Sequence, residues 1–515
     1  MNYNGTVPKG QSLASRPQEI DALNADYLRT DLKERSVSGG VLSVVAQASQ
    51  VLLQSISTVV LARLLTPTDF GLVAMVTAVT VIAAGFADLG LTEATIQRKE
   101  LTHEQVSTLF WINAAVGLFL TLLTAGMAPL LAKFYREPRL IGITLVASVS
   151  FLIGGLRGQH NALLKRHMRF KSVAIRDVTS SLLGVIVAVG LAFRGAGYWA
   201  ILALPITMNV TQMAMSWLMV RWRPGLPRLD PGIRTMVGFG GNVAASYVIF
   251  NWVRNADNIL IGWYWGASPL GLYSRAFNLL TLAVSQITGP TSSVAIPALS
   301  RIQDEAELFA RYYLKIMNLI VWIIASLFGF LFVAATPVIV VVLGAKWREA
   351  APVFQILTIS ALGQVLLEST LWILISQGQS ARLLKLMLVL CPVMVGSFVI
   401  GLPFGIKGVA LSLSIALLGA LPFILRFAFH NTNVTFARLG QALVCPIVLS
   451  LVGVCFAKLT LSLSVPKREI YQLLVAAMSF VAVYSLSALV PPVRAELESF
   501  GRLLRELRAS RQAVL

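Results

Sequence analysis

The chain is 515 residues long, 56% hydrophobic and only 13% charged, against roughly 45–50% apolar and about 25% charged residues in soluble chains. With a mean hydropathy of +0.76, that balance excludes an ordinary water-soluble globular protein. The net charge of +19 does not call for nucleic acid, because the cations fall in short connections between apolar stretches rather than on one soluble domain.

Residues 1–36 are polar and carry both signs, as in "EIDALNADYLRTDLKERS". They lack the charged start, apolar core and small-residue cleavage site of a signal peptide, and are expected to remain as a cytoplasmic tail. Apolar stretches near the ~20 residues needed to span hydrocarbon then recur to Pro491, giving about fourteen spans. Six, centred near Leu53, Val79, Leu118, Ala147, Val185 and Pro205, form an N-terminal six-helix bundle over 37–225. Six more, near Ile249, Val284, Ile324, Leu362, Leu390 and Ile415, form a C-terminal six-helix bundle over 232–430. Two additional spans, near Leu449 and Ala477, occupy 435–490. The fold class is an all-α polytopic membrane protein. Prolines inside spans (Pro205, Pro290, Pro337, Pro392, Pro422, Pro446) bend membrane helices and are tolerated where neighbours satisfy the freed backbone. Residues 492–515 place Leu497, Phe500, Leu503, Leu504 and Leu507 on one helical face. That cytoplasmic amphipathic tail reads either as a helix lying on the membrane or as a solvated one.

With the amino terminus inside, the 42 Lys and Arg favour the inside connections more than twofold, as the positive-inside rule expects. Both termini are then cytoplasmic. The connection "LLKRHMRFK" is dense enough in cations to meet anionic head groups of membrane lipids. The three cysteines lie in apolar stretches and the four histidines are scattered, so neither a disulfide framework nor a metal or cofactor site is expected.

An internal repeat is the informative feature. Shifted by 200 residues, "LARLLTPTDFGLVAM" (61–75) lies over "IGWYWGASPLGLYSR" (261–275), with Gly71-Leu72 over Gly271-Leu272. On a helix at 100° per residue, Tyr247, Asn251, Arg254, Asn255 and Asn258 form one polar stripe with Asp257 at its edge. The matching first-half positions are Gln47, Val51, Gln54, Ser55 and Thr58. Later, "MAPLLAKFYREPRL" (127–140) resembles "ATPVIVVVLGAKWREAAPVF" (335–354), allowing for an insertion. Each half starts inside, so the repeat is parallel, and repeated halves are a transporter signature.

Two segments carry a family resemblance. "ISTVVLARLLTPTDFGLVAM…FADLGLTEATIQRKELTHEQVSTLFWIN" and its second-half counterpart "NADNILIGWYWGASPLGLYSRAFNL…SSVAIPALSRIQ" resemble bacterial polysaccharide flippases. The likeness is to the colanic-acid or exopolysaccharide type, within the multidrug/oligosaccharidyl-lipid/polysaccharide exporter superfamily. It covers roughly residues 35 to 490. It implies two six-helix bundles in a V around a central cavity. It also implies an undecaprenyl-pyrophosphate-linked oligosaccharide, flipped outward across the bacterial cytoplasmic (inner) membrane for exopolysaccharide or lipopolysaccharide synthesis. Polysaccharide polymerase or export machinery would then be a neighbour.

Moving a polyanionic head group through hydrocarbon requires a polar, cationic path, and the planar arginine fork suits pyrophosphate. Four arginines fall within expected spans: Arg157, Arg176, Arg254 and Arg275. An intramembrane charge is a functional candidate. The candidate cavity set is Arg254, Arg275, Asn251, Asn255, Asn258, Tyr247, Gln47 and Gln54. Structural roles stand beside it: Arg254 paired with Asp257, Arg176 neutralised by Asp177, and Arg157 reaching to the interface. The resemblance also makes ion antiport an expectation, with Glu368, Asp257 and Asp88 as candidate carboxylates; desolvation favours proton exchange, and a neighbouring Arg opposes it at Asp257. The aromatic run "GWYWG" (262–266) reads as an interfacial anchor or as a sugar-stacking surface. The short connections concentrate no acids or histidines, which speaks against an enzyme. The alternative is a cation-coupled multidrug-type antiporter, whose cavity would favour acids over arginines. A scaffold in polymer assembly is the third reading.

Overall fold

The computed structural model of the chain describes residues 32–85, 91–97, 101–228, 254–430, 432–464 and 468–491, with 493, 494 and 496. Among them every regular element is helical. The order is α1 (Leu32–Leu64), α2 (Pro67–Ala84), α3 (Leu91–Gln97), α4 (His103–Gly126), α5 (Ala128–Tyr135), α6 (Leu140–Arg166), α7 (Phe170–Phe193) and α8 (Tyr198–Met219). After α9, helical over 254–265, follow α10 (Ala267–Arg301), α11 (Ala306–Val333), α12 (Ala335–Leu343), a 3₁₀ turn (Ala345–Ala350), α13 (Ala351–Ser376), α14 (Ser380–Gly401), α15 (Gly405–Phe429), α16 (Phe436–Ser464) and α17 (Glu469–Ser487).

Twelve segments among the described residues are long and apolar enough to cross a membrane. One of them, Ser380–Phe429, is the two helices α14 and α15 joined by the short turn Leu402–Phe404. Every expected span centre falls inside a helix, apart from Ile249, which lies outside the described residues. Residues 497–515 of the expected amphipathic tail also lie outside them. Large apolar side chains such as Phe119, Leu122, Ile186, Ile400, Leu451 and Met478 stand exposed on the helix surfaces, where hydrocarbon rather than water is the solvent that suits them.

The chain divides into two compact units, one of residues 1–58 and 79–252, the other of 59–78 and 253–515. In the first, α4 and α6 pack closely because each offers a glycine to the other's backbone. A β-carbon on Gly117 would lie 2.6 Å from the Phe151 carbonyl oxygen, and one on Gly155 would lie 2.3 Å from that of Asn113. Small residues at the crossing replace the hydrophobic drive that lipid removes. α7 packs on α8, and α6 on α8 and α3. An extended strap, residues 220–228, then crosses the start of α4. Its Gly225 N–H donates to Ser107 Oγ at 2.9 Å, Trp111 Nε1 donates to the Gly225 carbonyl at 2.8 Å, and the Arg228 N–H donates to Thr108 Oγ1 at 2.9 Å.

In the second unit α13 is buried on nearly all sides, packing on α10, α11 and α15, as expected of a helix apolar all round. The two additional helices join here: α16 lies along α11 and α17 along α16. Pro446 in α16 has no N–H for the carbonyl four residues back, that of Ala442. Asn318 of α11 supplies the missing donor through its Nδ2. Pro337, expected inside a span, sits in the first turn of the short α12.

The repeat is visible in the backbone. The α6–α7 turn, with Met168 at φ 51°, and the α13–α14 turn, with Gly378 at φ 66°, carry the same four hydrogen bonds 210 residues apart. The N–H groups of His167, Met168, Arg169 and Phe170 donate to the carbonyls of Leu163, Lys165, Leu164 and Met168. Those of Gln377, Gly378, Gln379 and Ser380 donate to Ile373, Ile375, Leu374 and Gly378. The offset grows in steps: it is 203 between the starts of α4 and α11, 207 between those of α5 and α12, and 211 between those of α6 and α13.

Candidate functional site

In the second unit the starts of α2 and α10 meet reciprocally. A β-carbon on Gly71 would fall 1.7 Å from the Ala267 carbonyl oxygen, and one on Gly271 would fall 1.8 Å from that of Pro67. Only glycine permits this approach, and the two contacts exchange partners exactly 200 positions apart. α2 begins on a local cap: Thr66 Oγ1 donates to Asp69 Oδ2 at 2.6 Å and the Asp69 N–H returns to Thr66 Oγ1 at 3.3 Å. Near this junction the Trp347 indole, fully buried, donates to the Ala62 carbonyl at 2.8 Å and meets Phe70 edge-on at 5.3 Å.

Arg275 is drawn into the same place. Its guanidinium carbon lies 4.1 Å from the centre of the Phe70 ring, a cation–π contact that gains strength when desolvated. Its Nε is buried and has no hydrogen-bond partner among the described residues, and no carboxylate there reaches ion-pair distance of it.

Asp257 lies one turn deeper along α9 from Arg254 and is 1% exposed. Its Oδ2 accepts from the buried Tyr273 hydroxyl at 2.9 Å and its Oδ1 from the Asn258 N–H at 2.7 Å. Tyr273 in turn stacks on Phe277, with centroids 5.9 Å apart. Arg254 is exposed, while Asn255 and Asn258 are half-buried; the Asn258 Oδ1 is buried without a hydrogen-bond partner among the described residues. Glu368 is half-buried on α13, beside Ser369, whose hydroxyl lies 2.9 Å from that of Tyr313. Tyr247, Asn251 and Asp88 lie outside the described residues.

In the first unit Gln47 and Gln54 are exposed on α1. Arg176, 5% exposed, is fully engaged. Its Nη2 lies 2.7 Å from Asp177 Oδ1, and its Nη1 donates to Asn161 Oδ1 at 2.8 Å and to Ser216 Oγ at 3.2 Å. Arg157 donates to Gln212, whose Nε2 continues to Ser180 Oγ at 3.2 Å. These two arginines therefore tie α6, α7 and α8 together. Arg275 combines an aromatic face with a buried nitrogen that has no hydrogen-bond partner among the described residues. Sequence reading missed Phe70 and Tyr273; the pairing of 61–75 with 261–275 was the available signal for the first, since it aligns the very turns that meet.

The helical order, the apolar surface and the span-length segments define a multi-pass membrane protein. A family model described as "Polysaccharide biosynthesis protein" matches residues 60–352, more than half of the chain, and the chain belongs to that family. It is 24% identical over 351 residues to the teichuronic acid biosynthesis protein TuaB of Bacillus subtilis (strain 168), covering 68% of this chain and 73% of TuaB. It is 24% identical over 338 residues to the lipopolysaccharide biosynthesis protein WzxC of Escherichia coli (strain K12), covering 64% of this chain and 68% of WzxC. Its fold is similar to that of the lipid II flippase MurJ in an inward closed conformation, with a TM-score of 0.68 at 13% identity over 87% of this chain and 99% of MurJ. An inward-facing multidrug resistance MATE family transporter follows, with a TM-score of 0.58 at 14% identity over 78% and 98% of the two chains. At such identities the likeness is one of fold.

Proposed function

We propose that the protein flips undecaprenyl-pyrophosphate-linked oligosaccharide repeat units from the inner to the outer leaflet of a bacterial cytoplasmic membrane, by alternating access of two six-helix bundles over 37–225 and 232–430. Membership of the polysaccharide biosynthesis family supports this role, as does a fold shared with a protein named for lipid II flipping. The single observation that carries it is Arg275, a guanidinium in a membrane span, held over Phe70 with a buried nitrogen left unpartnered. Hydrocarbon makes an unneutralised charge costly, and a pyrophosphate passing by supplies the counter-charge. Arg254, with Asn255 and Asn258, extends the polar wall, and Tyr247, Asn251, Gln47 and Gln54 complete it by the repeat. Both termini face the cytoplasm in this scheme. Glu368, Asp257 and Asp88 are the carboxylates through which ion antiport would couple.

Arg254→Ala and Arg275→Ala are expected to abolish polymer export in a cell lacking the wild-type gene, while the variants still insert into the membrane. The lipid-linked oligosaccharide then accumulates on the cytoplasmic side, where it can be extracted and identified. Wild-type export by both variants would remove the cationic path.

A further inference from the structure

The two equivalent turns of the repeat share a backbone but not a charge. Around the α6–α7 turn stand Lys165, Arg166, Arg169 and Lys171; the matching residues around the α13–α14 turn are Ile375, Ser376, Gln379 and Ala381. The identical hydrogen-bond pattern of the second turn shows that this geometry needs none of those cations. The nearest cation there, Arg382, is spent on the carbonyls of Phe427 and His430 at the end of α15. The segments that follow differ in the same sense: "VRWRPGLPR" (220–228) against "HNTNVTFAR" (430–438).

The fold gathers the extra cations. Arg169 Nη1 donates to the Met219 carbonyl at 3.2 Å, which brings the turn against the end of α8 and the start of the strap. The strap is stitched to α4 by the bonds of Gly225 and Arg228 given above, and Trp222 pins it from within, fully buried against Phe110 and His160. Trp217 stacks on His160 at 4.3 Å, and the Arg223 guanidinium lies 5.5 Å from the Trp217 ring centre. Lys165, Lys171, Arg221 and Arg223 are all exposed on this platform. The described acid bonded to it, Glu104, is matched by Arg228.

We propose that this end of the first unit is a docking surface for the head group of an anionic phospholipid. Trp111, exposed on α4 and bonded to the Gly225 carbonyl of the strap, stands where tryptophans mark the depth of the interface. Cations on a braced strap face the phosphate layer, where each basic residue adds about fivefold to binding. In the orientation proposed above, that is the cytoplasmic leaflet. The site stands or falls independently of what the protein transports.

The full chain, purified in mild detergent, is titrated with micelles containing phosphatidylglycerol or phosphatidylcholine while thermal unfolding is followed. Wild-type protein is expected to gain thermal stability with phosphatidylglycerol only, and K165Q/K171Q/R221Q/R223Q to need at least a hundredfold more of it. The milder K165Q/K171Q, expected to need about twentyfold more, serves if the fourfold variant unfolds in phosphatidylcholine. R194Q/K407Q, which removes two exposed cations elsewhere, is expected to behave as wild type. An unchanged phosphatidylglycerol response in the platform variants overturns the site. So does an equal loss in R194Q/K407Q, which would make it a net-charge effect, or an equal response to soluble inorganic polyphosphate.

Discussion

Gly71 packs against Ala267 and Gly271 against Pro67, so that each glycine of the repeat meets the counterpart of the residue the other one meets. An added methyl meets backbone carbonyls, Ala267 for one and Pro67 for the other, and backbone cannot swing aside as a long side chain does. Overpacking of this kind costs about 1–3 kcal/mol. Gly71→Ala and Gly271→Ala are each expected to lower the Tm of the detergent-solubilised protein. An unchanged Tm for both would mean that the two helix starts are not in contact.

Arg176 and Arg275 both fall in expected spans, yet they should respond differently. Removing Arg176 leaves the half-buried Asp177 without its cation and takes the shared donor from Asn161 and from the buried Ser216; a buried polar group left unsatisfied costs about 1–3 kcal/mol. Arg176→Ala is therefore expected to reduce folded yield and Tm. Arg275→Ala deletes a charge whose Nε has no partner, at the loss of its contact with the Phe70 ring, so its Tm should fall much less than that of Arg176→Ala while polymer export falls. A loss of Tm in Arg275→Ala as large as in Arg176→Ala would assign it a structural role.

The spans were legible because hydrocarbon imposes one pattern, about 20 apolar residues at a time, and the repeat of 61–75 in 261–275 because its glycines are set by close backbone approach; that the two copies meet was not. Arg176 with Asp177 was legible from adjacency. Other contacts were not, because they join different helices: Arg275 finds Phe70 and Trp347 finds the Ala62 carbonyl far along the chain, and Asp257 finds Tyr273 across the α9–α10 junction. The later part of the repeat shows only as a loose match between 127–140 and 335–354, because the second half lengthens in steps: α11 has 28 residues to the 24 of α4, and α12 with its 3₁₀ turn answers the single short α5.

Met168 occupies the left-handed region, at φ 51°, where its repeat counterpart is Gly378 at φ 66°. A side chain there costs about 1–2 kcal/mol, partly offset in glycine by about 0.5–1 kcal/mol of extra chain entropy. Met168→Gly is expected to raise stability by about 0.5–1 kcal/mol, and Gly378→Met to lower it by a similar amount. Thermal unfolding of the two single variants measures both signs, and a destabilised Met168→Gly would contradict the equivalence of the turns.

Asn318 and Pro446 form a pair in which one residue repairs what the other breaks. Proline at 446 leaves the Ala442 carbonyl without its helical donor, and the Asn318 side chain of α11 fills that place. A buried acceptor left unsatisfied costs about 1–3 kcal/mol, so Asn318→Ala should be clearly destabilising on the wild-type background. In Pro446→Ala the helix provides its own N–H to Ala442, and the amide of Asn318 becomes redundant. The same Asn318→Ala change is then expected to cost less than half as much. The coupling between the two sites, read from the Tm values of the wild type, both single variants and the double variant, should be at least about 0.5 kcal/mol. Additive effects would show that Asn318 holds α11 and α16 together by packing alone, with no part in satisfying the proline gap.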